Sequence, residues 1–156
     1  MTIDIFTDGS SRGNPGPGGY GIVMRIRGTS YEKVFSQGFR LTTNNRMELL
    51  AVIVALEKLQ SAGHDVHIYS DSKYVVDAVS KGWLQGWVRK GFAGKKNPDL
   101  WMRYLRAGKG QHIAFHWIKG HNEHPENERC DALAVAAATA PQGRLGIDTG
   151  FENSES

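Results

Sequence analysis

The stretch IDIFTDGSSRGNPGPGG at residues 3–19 admits few folds. Ile3 and Ile5 fall on one side of it and Asp4, Phe6 and Asp8 on the other, which is the two-residue period of a half-buried strand. The run reaches Asp8 and then breaks into glycine and proline, so the strand is expected to stop there and leave a carboxylate at the edge of a sheet. The turn that follows is either a phosphate cradle or a simple bend. What the rest of the chain brings to Asp8 decides between them.

Residues 20–27 and 31–41 read as two strands joined through Gly28 and Thr29, which makes strands one to three an antiparallel meander. Residues 44–59 change to a helical period, with Leu49, Val52, Ile53, Leu56 and Leu59 on one stripe and Met47, Leu50, Ala51 and Val54 beside it. A helix apolar over that much of its circumference belongs in the centre of the molecule. Residues 66–70 form a second short apolar run that closes on an aspartate, Asp71. A strand, helix, strand crossover leaves its two strands parallel. A short helix at residues 72–79, a less regular helical stretch within 81–96, a helix opened by Asn97, Pro98 and Asp99, a strand at 112–118 and an alanine-rich helix at 128–140 complete the order βββαβαααβα. The expected fold is α/β, with a five-stranded mixed sheet flanked by helices; strands one to three are antiparallel and strands one, four and five parallel.

At 156 residues the chain is expected to be one domain over 1–140, with 141–156 as a mobile tail. Cys130 is its only cysteine, which rules out an internal disulfide. No apolar stretch approaches the roughly 18 residues of a spanning helix, so a soluble, cytoplasmic monomer is expected. The tail sets Arg144 against Asp148, Glu152 and Glu155, leaving +5 on the body of a chain whose total is +3. A basic body points towards a polyanionic partner. Residues 81–96, KGWLQGWVRKGFAGKK, concentrate that charge: five basic residues, no acidic one, and Trp83, Trp87 and Phe92 between them. The aromatics are expected to pack inward and the lysines and Arg89 to face out.

Four acidic residues each have a structural explanation when taken singly. Asp8 before glycine suits an Asx-turn, Glu48 fits the last position of a capping box begun at Asn45, Asp71 suits an N-cap, and Asp131 favours the positive end of a helix. Taken together they say more. The topology puts Asp8 and Asp71 at the same end of neighbouring parallel strands, and Glu48 and Asp131 enter from the starts of two helices. Carboxylates so placed repel one another unless a cation lies between them. Hard oxygen ligands without clustered thiols or imidazoles suit Mg2+, with Mn2+ as the alternative, and the expected chemistry is two-metal hydrolysis of a phosphate ester.

Four motifs in one order, TDGSSRGNPGPGGYG, TTNNRMELLA, YSDSKYV and IKGHNEHPENERCDALA, resemble the bacterial type 1 ribonuclease H family over residues 3–140. The resemblance implies a ribonuclease H-like fold and an endonuclease that hydrolyses the RNA strand of an RNA/DNA hybrid, leaving 5'-phosphate and 3'-hydroxyl ends. It implies that Asp8, Glu48, Asp71 and Asp131 bind the metals and that His121 carries a proton near the leaving group. Residues 81–96 match the family's basic protrusion, so Trp83, Trp87, Arg89, Lys90, Lys95 and Lys96 are expected to grip the DNA strand. Thr43 and Asn97 match a pocket for a DNA phosphate, Asn14, Asn44 and Asn45 match groove contacts, and Lys73 is counted with the substrate-binding residues. A junction resolvase or 3'-exonuclease of the same fold would use similar acids on another substrate, and the basic window together with TTNNRMEL argues against both. A catalytically silent hybrid-binding module has no need of all four acids. A nucleotide-binding reading of DGSS requires two such domains, and this chain supplies one.

Overall fold

The computed structural model describes residues 1–119 and 124–154. Strands β1 (Thr2–Ser11), β2 (Gly16–Ile26), β3 (Glu32–Thr42), β4 (Asp65–Ser70) and β5 (His112–Trp117) form one five-stranded sheet in the order β3-β2-β1-β4-β5. β1 pairs antiparallel with β2 and β2 with β3; β1 pairs parallel with β4 and β4 with β5. This is the mixed sheet that the sequence predicts. The helices are α1 (Asn44–Glu57), α2 (Lys73–Ser80), α3 (Trp83–Arg89), α4 (Pro98–Ala107), α5 (Pro125–Ala138) and α6 (Thr149–Ser154).

α1 lies across one face of the sheet and is buried along nearly its whole length, from Met47 through Leu49, Leu50, Val52 and Ile53 to Leu56. It packs on Ile3, Ile5, Ile22 and Met24 from the strands and on Leu100, Trp101 and Tyr104 from α4, giving a single core. α5 covers the opposite face over β1, β2 and β3. The alanines of α5 and the glycines of β2 let the two backbones touch. A Cβ on Gly21 would collide with the Cys130 carbonyl, so only a residue without a side chain fits there.

Several local expectations are corrected. β1 does not stop at Asp8; it continues to Ser11, with Asp8 opposite Gly21 of β2, and it is the parallel pairing with β4 that ends, at Phe6 and Tyr69. The glycine-rich stretch therefore prolongs a hairpin instead of terminating a strand. The N-cap of α1 is Thr43, whose hydroxyl accepts from the Arg46 N–H, so Glu48 is not part of a capping box. Ser72, not Asp71, caps α2 through the Val75 N–H. α5 begins at Pro125, three residues before the expected start, because proline is well suited to a first helical position. Asp131 thus sits in the second turn, where the macrodipole no longer explains it. Trp83 is 48% exposed, and Leu84 is the buried residue of α3.

Residues 141–154 are not a free tail. Gly146 bridges to Phe39 of β3, Phe151 is buried, Arg40 pairs with Glu152, and Asp148 is buried against Arg46. Four anchors separated by polar residues show no periodicity in sequence, which is why the segment reads as unstructured there.

Candidate active site

Asp8 and Glu48 reach the same point from different elements, β1 and the second turn of α1, and Asp71 joins them from the end of β4. Their ligand oxygens all lie within 4.8 Å of one another. What brings α1 so close is Gly9, where a Cβ would collide with the backbone of Met47 and Glu48. The Gly9 N–H is shared: it donates to Asp8 Oδ1 at 2.9 Å and to Glu48 Oε1 at 2.6 Å. Asp8 is only 2% exposed and Glu48 only 5%, and the second oxygen of Asp8, Oδ2, is buried without a hydrogen-bond partner among the described residues.

Burial, followed by the charge of Asp71, pushes the Asp8 carboxyl up from its ordinary 3.8 to about 8, and the nearby Asp131 adds to the shift. Burial and then the charges of Asp8 and Asp71 likewise hold Glu48 well above the usual carboxylate range. Asp131 stands beside Asp8 from α5 but outside the 4.8 Å group. Among the described residues no lysine or arginine pairs with Asp8, Glu48 or Asp71, and the remaining way to neutralise them is a proton or a cation.

This has a consequence for stability. Without a cation the folded chain holds a proton at Asp8 that the unfolded chain releases above about pH 4, so this centre contributes less stability as the pH rises towards about 8. Asp4, lowered chiefly by its hydrogen bond to Arg27, and Asp99, whose bonds to Arg46 outweigh the effect of burial, act in the opposite sense. Their contribution is lost only as the pH falls through the lower end of the carboxylate range, so the two windows are separate. The gap in Tm between protein with excess divalent cation and protein with chelator is expected to widen from mildly acidic pH to about pH 8. A gap constant across that range would contradict the arrangement.

At the rim, the Trp117 indole N–H donates to the Asp71 carbonyl at 3.2 Å, and the Lys73 ammonium lies 4.1 Å from the centre of the Trp117 ring. Lys73 therefore packs on the tryptophan that holds the backbone of Asp71. The other residues expected to touch substrate gather farther along. Asn14, Thr43, Asn45, Lys96 and Asn97 line one pocket of about 450 Å³. Asn45, Lys96 and Asn97 continue into a second of about 280 Å³, walled by Trp83, Trp87 and Lys95. Asn44 is tied to this group by its N–H, which donates to Asn14 Oδ1 at 3.1 Å. Lys90 lies beside Trp83 and Trp87 on the far side of α3, and Arg89 is exposed at the end of that helix. His121 lies outside the described residues.

The sequence reading overlooked Arg46. Its guanidinium, only 3% exposed, binds Asp99 and Asp148 through two hydrogen bonds each, at 2.7 to 2.9 Å, and the Asn97 carbonyl oxygen at 3.2 Å. Tyr74 holds the other end of Asn97, accepting from its amide at 3.0 Å. The available signal is an arginine in the first turn of a helix that is apolar over most of its circumference, since such a residue must find anions if it is buried.

The sequence profile of the family described as RNase H matches residues 1–139. A protein named Ribonuclease H from Desulforamulus reducens is 54% identical over 150 residues, covering 93% of this chain and 92% of that protein. Among solved structures, LC9-RNase H1 is similar with a TM-score of 0.79 and 29% identity over 99% of this chain and 81% of its own. LC11-RNase H1, solved in complex with an RNA/DNA hybrid, is similar with a TM-score of 0.59 and 29% identity over 87% of this chain and 96% of its own.

Proposed function

The chain belongs to the ribonuclease H family, and from that membership we infer that it is an endonuclease that hydrolyses the RNA strand of RNA/DNA hybrids. The observation that carries the reading to particular residues is the trio Asp8, Glu48 and Asp71 with their oxygens within 4.8 Å, in a molecule whose pockets around the start of α1 and α3 are lined by amides and lysines.

A divalent cation fits this centre. The donors are all carboxylate oxygens, one of them is buried without a partner among the described residues, and burial followed by mutual repulsion raises the proton affinity of two of the acids. We take the ion to be Mg2+, two per site during turnover and replaceable by Mn2+, held by Asp8, Glu48, Asp71 and Asp131. When bound it supplies Lewis-acid polarisation of the phosphate and a more acidic attacking water. The chain's own part is to hold the acids: Gly9 orients Asp8 and Glu48 through one N–H, and Trp117 pins the backbone of Asp71. His121 is the candidate proton carrier for the leaving oxygen, since imidazole titrates near neutrality.

Trp83, Trp87, Arg89, Lys90, Lys95 and Lys96 are assigned to the DNA backbone and Thr43 with Asn97 to one of its phosphates. Asn14, Asn44 and Asn45 are assigned to the groove, where 2'-hydroxyls mark the RNA strand. Phosphate contacts of this kind give affinity without reading sequence, so binding should weaken steeply with salt. No described helix is long and apolar enough to cross a membrane. We take the acting species to be a monomer, which sedimentation at working concentration tests.

The deciding experiment incubates the protein with labelled RNA/DNA hybrid, duplex RNA, duplex DNA and single strands, in Mg2+ or in chelator. Cleavage of RNA only in the hybrid and only with metal, leaving 5'-phosphates, is expected. Equal cutting of DNA would favour a resolvase or exonuclease, and binding without cutting would favour a silent module.

A further inference from the structure

α5 covers β1, β2 and β3, but the same face of β4 and β5 carries partly buried and exposed residues. Along β4 the side chains of Val66, Ile68 and Ser70 are buried, which turns His67 and Tyr69 outward. Phe6, Tyr69 and His116 are register partners on β1, β4 and β5, and their rings stack in a row with centroids 4.8 Å apart at each step. The His67 and His116 rings are nearly parallel with centroids 5.1 Å apart, and His67 Nδ1 lies 2.8 Å from His116 Nε2, so the two rings meet edge to edge. We propose that His67 and His116 form a transition-metal site on this outer face, distinct from the acidic centre, which takes a borderline divalent ion such as Cu2+, Ni2+ or Zn2+ through two imidazole nitrogens with water completing its shell.

At 2.8 Å the two nitrogens share one hydrogen, one imidazole donating to the other. A metal ion can take that place once the donating ring carries its hydrogen on its other nitrogen, so that two neutral imidazoles each present a lone pair. Two nitrogens each about 2.0 to 2.1 Å from a tetrahedral ion stand about 3.3 to 3.4 Å apart, so the rings must part by roughly half an ångström and swing from facing each other head-on towards the tetrahedral angle. Stacking against Tyr69, itself stacked on Phe6, already restrains the His116 ring, so part of the ordering cost of chelation is met in the free protein. Burial, followed by His67, makes His116 harder to protonate, which favours the neutral form that binds metal.

The groups facing the pair are few. Asp4 is the register partner of His67 and supplies negative charge, although its oxygens are engaged by Arg27 at 2.7 and 3.0 Å and by the Tyr69 hydroxyl at 3.3 Å. Arg27 is the opposing cation, and its pairing with Asp4 offsets it. Imidazole nitrogens without a free carboxylate select Cu2+, Ni2+ and Zn2+ over Mg2+, the reverse of the all-oxygen acidic centre. The two sites can therefore be loaded separately.

The test keeps Mg2+ in large excess to occupy the acids, then adds Zn2+ under calorimetry and substoichiometric Cu2+ under NMR. One Zn2+ is expected to bind, and Cu2+ should broaden the ring signals of His67 and His116 before any others. His67→Gln and His116→Gln should each weaken Zn2+ binding at least about a hundredfold, since each removes one of two linked ligands. Both side chains stand on an open sheet face, so hybrid cleavage in Mg2+ should be unchanged in either variant. Equal Zn2+ affinity in wild type and variants, or broadening that begins around Asp8 and Asp71 or at other histidines, would overturn the assignment.

Discussion

Asp8→Asn is expected to lower metal-dependent cleavage of hybrid at least about a thousandfold while leaving hybrid affinity within a few fold. The asparagine keeps the shape of the side chain and can still accept the Gly9 N–H, so β1 and α1 need not move. What it removes is one of the three carboxylates whose oxygens converge within 4.8 Å, and with it a ligand for the cation. The residues assigned to the nucleic-acid backbone lie around α3 and the start of α1, away from that charge, so affinity survives. A second consequence follows from the burial: in chelator at neutral pH the variant should be more stable than the wild type, because the wild type must take up a proton at Asp8 on folding and the asparagine need not. Single-turnover cleavage, hybrid binding in chelator and thermal melting separate these effects. Substantial retained turnover would refute the role of Asp8. His121→Ala provides the contrast, since it should slow turnover while cation binding, read by calorimetry, persists; an unchanged rate would remove His121 from the mechanism.

Arg46→Met should cost about 3 to 5 kcal/mol of folding stability, far more than the loss of a surface ion pair. The methionine fills much of the same space, so the loss is electrostatic. Asp148 is left 7% exposed with its Thr42 hydroxyl bond at 2.7 Å and no counter-charge, whereas Asp99, nearly half exposed at its side chain, can turn to water. The strain is therefore expected to fall on residues 146–154, which should lose hydrogen-exchange protection before the core does. Asn97 loses one of its two holders, so hybrid affinity should drop modestly as well. Adding Asp148→Asn to Arg46→Met should recover part of the loss, as the uncompensated charge is then removed. A cost below about 1 kcal/mol with the C-terminal segment still protected would show that the network contributes little.

Legibility varied with the range of the interactions. Strand and helix identities were readable because Ile3 and Ile5, or Leu49, Val52, Ile53 and Leu56, repeat at the period of the element they form. The antiparallel meander and the parallel crossover followed from turn residues and from the handedness of connections. Element ends were less readable. Thr43 and Ser72 are the caps where Asn45 and Asp71 also qualified by type, and Pro125 opens a helix whose first turn reads as polar loop. Several residues could satisfy the same backbone N–H, and only the path of the chain selects one.

Local periodicity and residue chemistry are enough to specify the α/β class, the pairing of the strands and the presence of acids where apolar runs end. The rest depends on how the elements meet in space. The distance between Asp8 and Glu48 depends on Gly9 letting a helix press on a strand 39 residues away in sequence. The fate of residues 141–154 depends on a buried arginine about a hundred residues earlier. Electrostatic energy and steric exclusion depend on separation in space, and a linear pattern of residues contains that separation only once the chain has folded.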